Sequence, residues 1–198
     1  MAFKYAVALT GSIATGKSSA GIYLSKLGFE IIDADSIAHD MLNVQYQAIA
    51  RLFGEHMLNA DKTVNRKALG SVVFSNAVKR KALEDLLHPR IFLEIETQAK
   101  QLDIKRTPYL VDIPLFFESK RYPIAKSLLV YTPIPLQLLR LRQRDDSSEE
   151  DAQRRIDAQI SIEIKKQKAD YVIDNSGTLT DLERECKRVK DEILKDFT

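Results

Sequence analysis

Short apolar runs recur along the chain, and each has the length of a β-strand. Stretches with helical spacing or polar character separate these runs. Continuous apolar runs are typical of strands buried on both faces, and helical connections between them are typical of a parallel sheet. The pattern predicts an α/β fold with a five-stranded parallel sheet whose strands lie near residues 5–10, 29–33, 109–114, 127–133 and 170–175.

The connections between the predicted strands differ greatly in length. Residues 34–108, between the second and third strands, have helical patterns throughout and are far more than one crossover requires. A second helical excursion, residues 134–168, is dense in Arg and Lys. We therefore expect a single domain that consists of a core (about 1–35, 105–133 and 169–198), an inserted helical lobe (about 36–104) and a small helical lid (about 134–168).

The overall charge argues against several classes of partner. The 198 residues include 30 basic and 28 acidic side chains, and the net charge of +2 is too small to indicate binding to nucleic acid or to an anionic membrane. No apolar stretch approaches the roughly 20 residues of a membrane helix, and the start of the chain leads straight into a strand. We expect a cytoplasmic protein, either a monomer or a small homo-oligomer. Cys186 is the only cysteine and is predicted to be an inert thiol.

The strongest motif follows the first predicted strand. Gly11 to Ser18 match G-x-x-x-x-G-K-[ST] at every fixed position, and a predicted helix over 17–27 comes next. Backbone N–H groups in such a loop form an anion socket at the helix N-terminus. The lysine reaches the outer phosphates and the serine hydroxyl can ligate magnesium, so the motif predicts ATP and Mg²⁺ as cofactors. The predicted nucleotide contacts are Gly11, Ser12, Ile13, Ala14, Thr15, Gly16, Lys17, Ser18 and Ser19, with Ser18 as the metal ligand.

Three carboxylates follow or end predicted strands. In open α/β sheets ligands bind beyond the carboxyl ends of the strands, so Asp33, Asp35 and Asp112 are all expected near the phosphate loop. A kinase that acts on a hydroxyl needs a carboxylate to orient it and take its proton, and Asp35 is better placed than Asp33 because it lies past the strand end. The alternative for Asp35 is an N-cap of a helix over 36–43. Asp112 either holds magnesium through water or accepts a structural hydrogen bond.

The basic excursion has the composition of a lid over phosphates. Arg140, Arg144, Arg154 and Arg155 are spread through it, and guanidinium groups match phosphate oxygens and stabilise transition-state charge. For any one of them the alternative is a solvated charged face. The acidic run 145–151 indicates a helix start with serine caps at 147 and 148, and we assign it no chemistry.

Seven segments contain short motifs and together span nearly the whole chain: TGSIATGKS (10–18), DADSIAH (33–39), NRKALGSVVF (65–74), LLHPRI (86–91), DIPLFFE (112–118), RRIDAQ (154–159) and DYVIDNSG (170–177). The phosphate loop alone is shared by many families, whereas the D-A-D after the second strand, the H-P in the inserted helices and the P-L-x-x-E after the third strand are specific in combination. Together the segments resemble the dephospho-CoA kinase family.

This resemblance implies a reaction and a set of roles. ATP would phosphorylate the ribose 3′-hydroxyl of dephospho-CoA, with Asp35 as the base and with Lys17 and Arg144 neutralising the phosphates. The inserted lobe would be the dephospho-CoA side, and residues 175–177 would lie near adenine. The implied substrate contacts are Asp33, Asp35, His39, Arg66, His88, Pro89, Asp112, Pro114, Leu115, Glu118 and Arg155, and the further nucleotide contacts are Arg140, Asn175 and Gly177.

Two positions depart from the family pattern, and one implied role has an alternative. Ser12 stands where a second glycine is common, and it would be strained if its φ were positive. Phe117 stands where leucine is usual. His88 has a purely structural alternative, the cap of a helix whose first residue is Pro89.

Two other functions compete with this interpretation. A nucleoside or shikimate-type kinase would share the loop, lid and base but not the acceptor pocket. A GTPase-like switch would need a D-x-x-G soon after the loop and a guanine-recognition motif. The chain contains no N-K-x-D, and its one D-x-x-G is at residues 174–177, far from the first strands.

Overall fold

A five-stranded sheet forms the centre of the protein. The computed structural model describes residues 2–119 and 121–198. The strands lie in the order β2-β3-β1-β4-β5, and β1 pairs in parallel with both β3 and β4. The predicted α/β fold with a parallel sheet is confirmed. The strands are β1 (Ala6–Gly11), β2 (Ile31–Asp33), β3 (Tyr109–Asp112), β4 (Lys126–Tyr131) and β5 (Tyr171–Asp174).

At least one α-helix follows each of the five strands. A short 3₁₀ helix, Glu55–Met57, lies between α3 and α4. The α-helices are α1 (Lys17–Lys26), α2 (Ala34–Val44), α3 (Tyr46–Phe53), α4 (Arg66–Phe74), α5 (Ala77–Asp103), α6 (Phe116–Ser119), α7 (Ile134–Asp145), α8 (Glu149–Asp157), α9 (Ile162–Lys168) and α10 (Leu179–Asp196).

The strand that carries the phosphate loop is the most deeply buried. All six residues of β1 are buried. On one face, Val7 and Leu9 belong to a core with Leu24 of α1 and with Val189 and Ile193 of α10. Burying a side chain of this size stabilises the fold by about 1.5–3 kcal/mol. The loop therefore starts from a rigid point at the carboxyl end of a central strand.

The chain divides into two compact units. One comprises Met1–Ile32 with Ala99–Thr198, and the other comprises Asp33–Gln98. The second unit has its own apolar cluster, and Asn65 begins α4 within it by accepting a hydrogen bond from the Ala68 N–H at 3.0 Å. The buried members of that cluster are Ile49, Phe53, Met57, Val64, Leu69 and Val73.

The structure corrects the predicted start of α2. Asp33, not Asp35, caps this helix, because one Asp33 carboxylate oxygen accepts from the backbone N–H groups of Asp35 and Ser36 at 2.9 and 3.0 Å. Asp35 lies in the first turn, where a negative charge is favourable at the helix N-terminus. The capping alternative for Asp35 is therefore wrong, and its carboxylate has no helix-capping role.

The structure also decides the alternative in which His88 caps a helix that begins at Pro89. Helix α5 is continuous from Ala77 to Asp103 with Pro89 inside it, so the capping alternative for His88 is wrong. A proline at this position removes the N–H that would bond to the residue four earlier. Nearby, the Arg90 side chain donates to Leu86 O at 2.7 Å.

Within the described part of the chain, no helix has the length and apolar character to span a bilayer.

Candidate active site

The loop after β1 surrounds an open cavity of about 460 Å³. Every residue that lines it belongs to the unit built on the sheet. The predicted nucleotide residues of the motif all line this cavity, together with two lid arginines and two residues from other segments. The full lining is Gly11, Ser12, Ile13, Ala14, Thr15, Gly16, Lys17, Ser18, Ser19, Pro114, Arg140, Arg144 and Gln159.

Two loop residues adopt left-handed backbone conformations. Gly16, the N-cap of α1, has φ 82°, and a Cβ there would lie only 2.2 Å from Asn175 Nδ2. Ala14 has φ 61°, whereas Ser12 is not among the residues with positive φ. The conditional strain predicted at Ser12 therefore does not arise, and it is Ala14 that adopts the conformation L-residues disfavour. A glycine is required at position 16 for both conformation and space.

Buried side chains behind the loop hold one of its carbonyls. Asn175 Nδ2 donates to Thr15 O at 2.8 Å, and Thr132 Oγ1 lies 3.2 Å from the same oxygen. Asn175 and Thr132 are buried, with 6% and 0% exposure. An anion nest needs its N–H groups facing the ligand and its carbonyls facing away, and these contacts support that orientation. Sequence reasoning missed Thr132, and it placed Asn175 near adenine, which stays a prediction.

Lys17 and Asp112 form a close ion pair. Lys17 Nζ lies 2.5 Å from Asp112 Oδ1, and both side chains are largely buried. Asp112 ends β3, next to β1, with Leu9 as its register partner. Ser18 is exposed in the first turn of α1. Mg²⁺ binds hard oxygen ligands, usually one or two from the protein and the rest from water and phosphate. The Ser18 hydroxyl and the Asp112 carboxylate are ligands of this kind, so these two residues fit magnesium.

The lid arginines divide into two that line the cavity and two that do not. Arg140 lies on α7 and also donates to Thr132 Oγ1 at 3.3 Å. Arg144, on the last turn of α7, pairs through Nε with Asp145 at 2.7 Å. Arg155 does not line the cavity but donates to the other oxygen of Asp145 at 2.5 Å.

Asp145 therefore joins two of the predicted arginines. Hydrogen bonds from Arg144, and then from Arg155, hold the pKa of the Asp145 carboxyl well below its usual range. The sequence interpretation assigned Asp145 no chemistry, because the acidic run 145–151 indicated the start of a helix. Of the two predicted serine caps, Ser148 is confirmed, since its hydroxyl accepts from the Asp151 N–H at 3.1 Å. The cap predicted at Ser147 is wrong, because α8 begins after Ser148 and the Ser147 hydroxyl contacts no hydrogen-bond partner among the described residues.

Gln159 contacts the loop directly. Its Oε1 accepts a hydrogen bond from the Ile13 N–H at 3.0 Å, across 146 residues of sequence. Sequence reasoning placed Gln159 in a family segment but gave it no contact. Pro114, which also lines the cavity, is held from β1: its carbonyl accepts a hydrogen bond from Thr10 Oγ1 at 3.0 Å. This bond joins the end of β1 to the segment after β3.

Three other residues predicted to contact substrate or nucleotide do not line this cavity. Leu115 is 44% exposed. Glu118 Oε1 lies 2.7 Å from Lys165 Nζ and accepts from the Ile160 N–H at 3.2 Å. Gly177 immediately precedes Thr178, the cap of α10. Substrate or nucleotide contacts by these residues stay predictions.

The remaining predicted substrate residues belong to the unit Asp33–Gln98. Within that unit, the Asp35 carboxylate lies on the exposed first turn of α2 and His39 lies exposed on the same helix. Arg66 is exposed at the start of α4. His88 is half-buried and Pro89 is exposed within α5. The roles predicted for these residues stay predictions.

Comparison with known families identifies the class of protein. A family model described as CoaE, dephospho-CoA kinase, matches residues 5–181. The chain belongs to the dephospho-CoA kinase family. The family predicted from the sequence segments is therefore confirmed, and so is the prediction that the chain is a kinase of this type.

Individual members of the dephospho-CoA kinase family align over nearly the whole chain. The dephospho-CoA kinase of Sulfurimonas denitrificans is 47% identical, over 98% of this chain and 96% of that protein. The one from Helicobacter pylori strain J99 is 43% identical, over 98% of this chain and 100% of its own. The solved structure of dephospho-CoA kinase from Campylobacter jejuni is 39% identical, with a TM-score of 0.75, and the match covers 98% of this chain and all of that chain.

A more distant likeness concerns the fold alone. Shikimate kinase from Acinetobacter baumannii superposes with a TM-score of 0.53 over 97% of this chain and 94% of that one, at 18% identity. The fold is therefore shared with a shikimate kinase. The family match, rather than this likeness, separates the dephospho-CoA kinase interpretation from the shikimate-type alternative.

Proposed function

We propose that this chain transfers the γ-phosphoryl group of ATP to the ribose 3′-hydroxyl of dephospho-CoA and releases coenzyme A and ADP. The observation that carries the proposal is the preformed phosphate loop, with Lys17 and two lid arginines around one cavity, in a chain of this family.

On the nucleotide side, the loop does most of the binding. Backbone N–H groups of the loop and the N-terminus of α1 receive the phosphates, and Lys17 neutralises the outer ones. In the structure Lys17 is held by Asp112, so its ammonium group is already fixed beside the loop before phosphate arrives. Ser18 supplies a hydroxyl to Mg²⁺, which when bound neutralises charge on the phosphate oxygens.

On the acceptor side, Asp35 is the proposed general base. As the 3′-oxygen forms its bond to the γ-phosphorus, the bond from that phosphorus to the bridging oxygen of ADP breaks and the hydroxyl proton passes to Asp35. Arg140 and Arg144 stabilise the charge that spreads over the transferring group. The unit Asp33–Gln98 provides the dephospho-CoA contacts, among which we place His39, Arg66 and His88.

Several further properties follow from the same proposal. The enzyme works in the cytoplasm as a monomer or small homo-oligomer, uses Mg²⁺ with ATP, and has neither nucleic acid nor membrane as a partner. The near balance of basic and acidic residues supports the absence of these anionic partners.

A panel of acceptors tests the function. Initial rates of ADP formation are measured with ATP and magnesium in the presence of dephospho-CoA, adenosine or shikimate. The proposal predicts that dephospho-CoA gives kcat/KM values at least about 10³-fold above the other two, because a site with buried polar contacts to its substrate rejects compounds that leave them unpaired. Higher kcat/KM with adenosine or shikimate would overturn the assignment.

A further inference from the structure

Lys165 is a fully buried lysine that has no role in the reaction described above. Its side chain is 0% exposed, although the surrounding segment of α9 is rich in charge. Lysine is almost never fully buried without a partner, because an unpaired ammonium group loses its hydration. The contacts that replace water around Lys165 therefore indicate why the residue is there.

The first of these contacts is with the phosphate loop. Lys165 Nζ donates to the carbonyl oxygen of Gly11 at 3.0 Å, across 154 residues of sequence. Gly11 ends β1 and is the first residue of the loop. A Cβ at Gly11 would lie 2.6 Å from Thr15 Oγ1, so the backbone here is also tightly enclosed from the loop side. The donated hydrogen bond fixes the peptide group that leads into the anion socket.

The second contact is with Glu118 of α6, whose carboxylate binds both Lys165 and the backbone before α9. Its Oε1 lies 2.7 Å from Lys165 Nζ and accepts from the Ile160 N–H at 3.2 Å. Ile160 follows Gln159, which in turn accepts from the Ile13 N–H of the loop. The pair thus holds the loop at Gly11 and also holds the connection that presents Gln159 to the loop.

We propose that Lys165 is a positioning residue for phosphoryl transfer and that Glu118 acts through it. By keeping the Gly11 carbonyl directed away from the phosphates, the pair holds the backbone N–H groups of the loop in the orientation that binds ATP. Glu118, predicted from the family resemblance to contact substrate, then affects the reaction by anchoring Lys165. This proposal rests on the proposed kinase function only where kcat and KM with dephospho-CoA are measured, because ATP affinity and stability can be measured without the reaction.

Paired substitutions separate positioning from simple charge compensation. Lys165→Met leaves the Glu118 carboxylate without its ammonium partner, whereas Lys165→Met with Glu118→Gln leaves no uncompensated charge. We expect the single variant to lose both thermal stability and ATP affinity. The double variant regains thermal stability but still binds ATP about tenfold or more weakly than wild type, because no ammonium group holds the Gly11 carbonyl. Lys168→Met, at an exposed position on α9, is the matched control and binds ATP as wild type does.

The measurements are the Kd for ATP by calorimetry, the Tm, and the kcat and KM with dephospho-CoA. A double variant with wild-type ATP affinity and kcat would overturn the proposal and leave Lys165 as a partner of Glu118 alone. Glu118→Asp provides a test that keeps both charges: shortening the carboxylate draws Lys165 from Gly11, and we expect ATP affinity to fall about threefold or more. Unchanged affinity in Glu118→Asp would also contradict the proposal. If wild type binds ATP but does not phosphorylate dephospho-CoA, the proposed function fails while the ATP measurements still test Lys165.

Discussion

Lys17 Nζ lies 2.5 Å from Asp112 Oδ1, so the lysine of the phosphate loop is paired with a carboxylate on the neighbouring strand. Both side chains are less than one-fifth exposed. A charge-assisted hydrogen bond of this kind restricts a long, flexible side chain to one position. The sequence left two roles open for Asp112, a magnesium contact through water or the acceptance of a structural hydrogen bond. This contact supports the second role, with Lys17 as the donor.

Asp112→Asn tests that role. The amide oxygen can still accept from Lys17 but without the negative charge, so we expect kcat/KM for ATP to fall about tenfold. The magnesium concentration that gives half-maximal activity should not change. Steady-state rates are measured over a matrix of ATP and magnesium concentrations. A large increase in the magnesium requirement would instead assign Asp112 to the metal.

Asp35→Asn tests the general base. The variant should lower kcat by roughly two to four orders of magnitude, because the amide cannot take the proton from the acceptor hydroxyl. ATP binding should stay nearly intact, since the predicted nucleotide contacts lie on other elements. Turnover and the Kd for ATP are both measured, with Asp40→Asn on the exposed surface of the same helix as the control. Near-normal turnover in Asp35→Asn would reject this role.

Arg144→Ala tests the lid. Arg144 lines the cavity, whereas Arg142 on the same helix is absent from the cavity lining and pairs with Glu149 at 2.9 Å. Removing a group that stabilises transition-state charge should lower kcat by about 10²-fold and change KM much less. Arg142→Ala should retain wild-type kinetics. A raised KM with unchanged kcat would mark Arg144 as a residue of ground-state binding only.

Cys186 gives a prediction that depends on pH. Burial, with smaller contributions from Glu185 and Glu183, raises the pKa of the Cys186 thiol to about 11. Thiolate is the reactive form, so at pH 8 only about 0.1% of the folded protein would carry it. We expect native protein to react with a disulfide reagent at least about 10²-fold more slowly than protein unfolded in guanidinium, and the native rate to rise with pH. Equal rates at pH 8 would contradict this environment.

Local chemistry made most of the sheet and the phosphate loop predictable. The apolar runs have strand length, and Gly11, Gly16, Lys17 and Ser18 have a fixed spacing whose mechanism is local to a strand, a turn and a helix. The same was true of the Ser148 cap, which bonds to a backbone N–H three residues away. In these cases the residues that carry the signal lie close together in the sequence.

Apart from the cap of α2, where Asp33 takes the place considered for Asp35, the main errors and omissions involve contacts that depend on the rest of the fold. Lys165, in the charged segment I-E-I-K-K-Q-K, has the local pattern of a solvated helix face, yet its partners are Gly11 and Glu118. Gln159 reaches Ile13 only because α8 and α9 fold back to the loop. Pro89 favours a helix start locally, but the packing of α5 overrides that preference.

The most direct test of the central claim is the identification of the product. Purified enzyme is incubated with ATP, magnesium and dephospho-CoA, and the product is analysed by mass spectrometry and ³¹P NMR. We expect one new phosphomonoester on the ribose 3′-oxygen, formed in equal amount with ADP. ATP consumption without this product, or phosphate on another hydroxyl, would contradict the account.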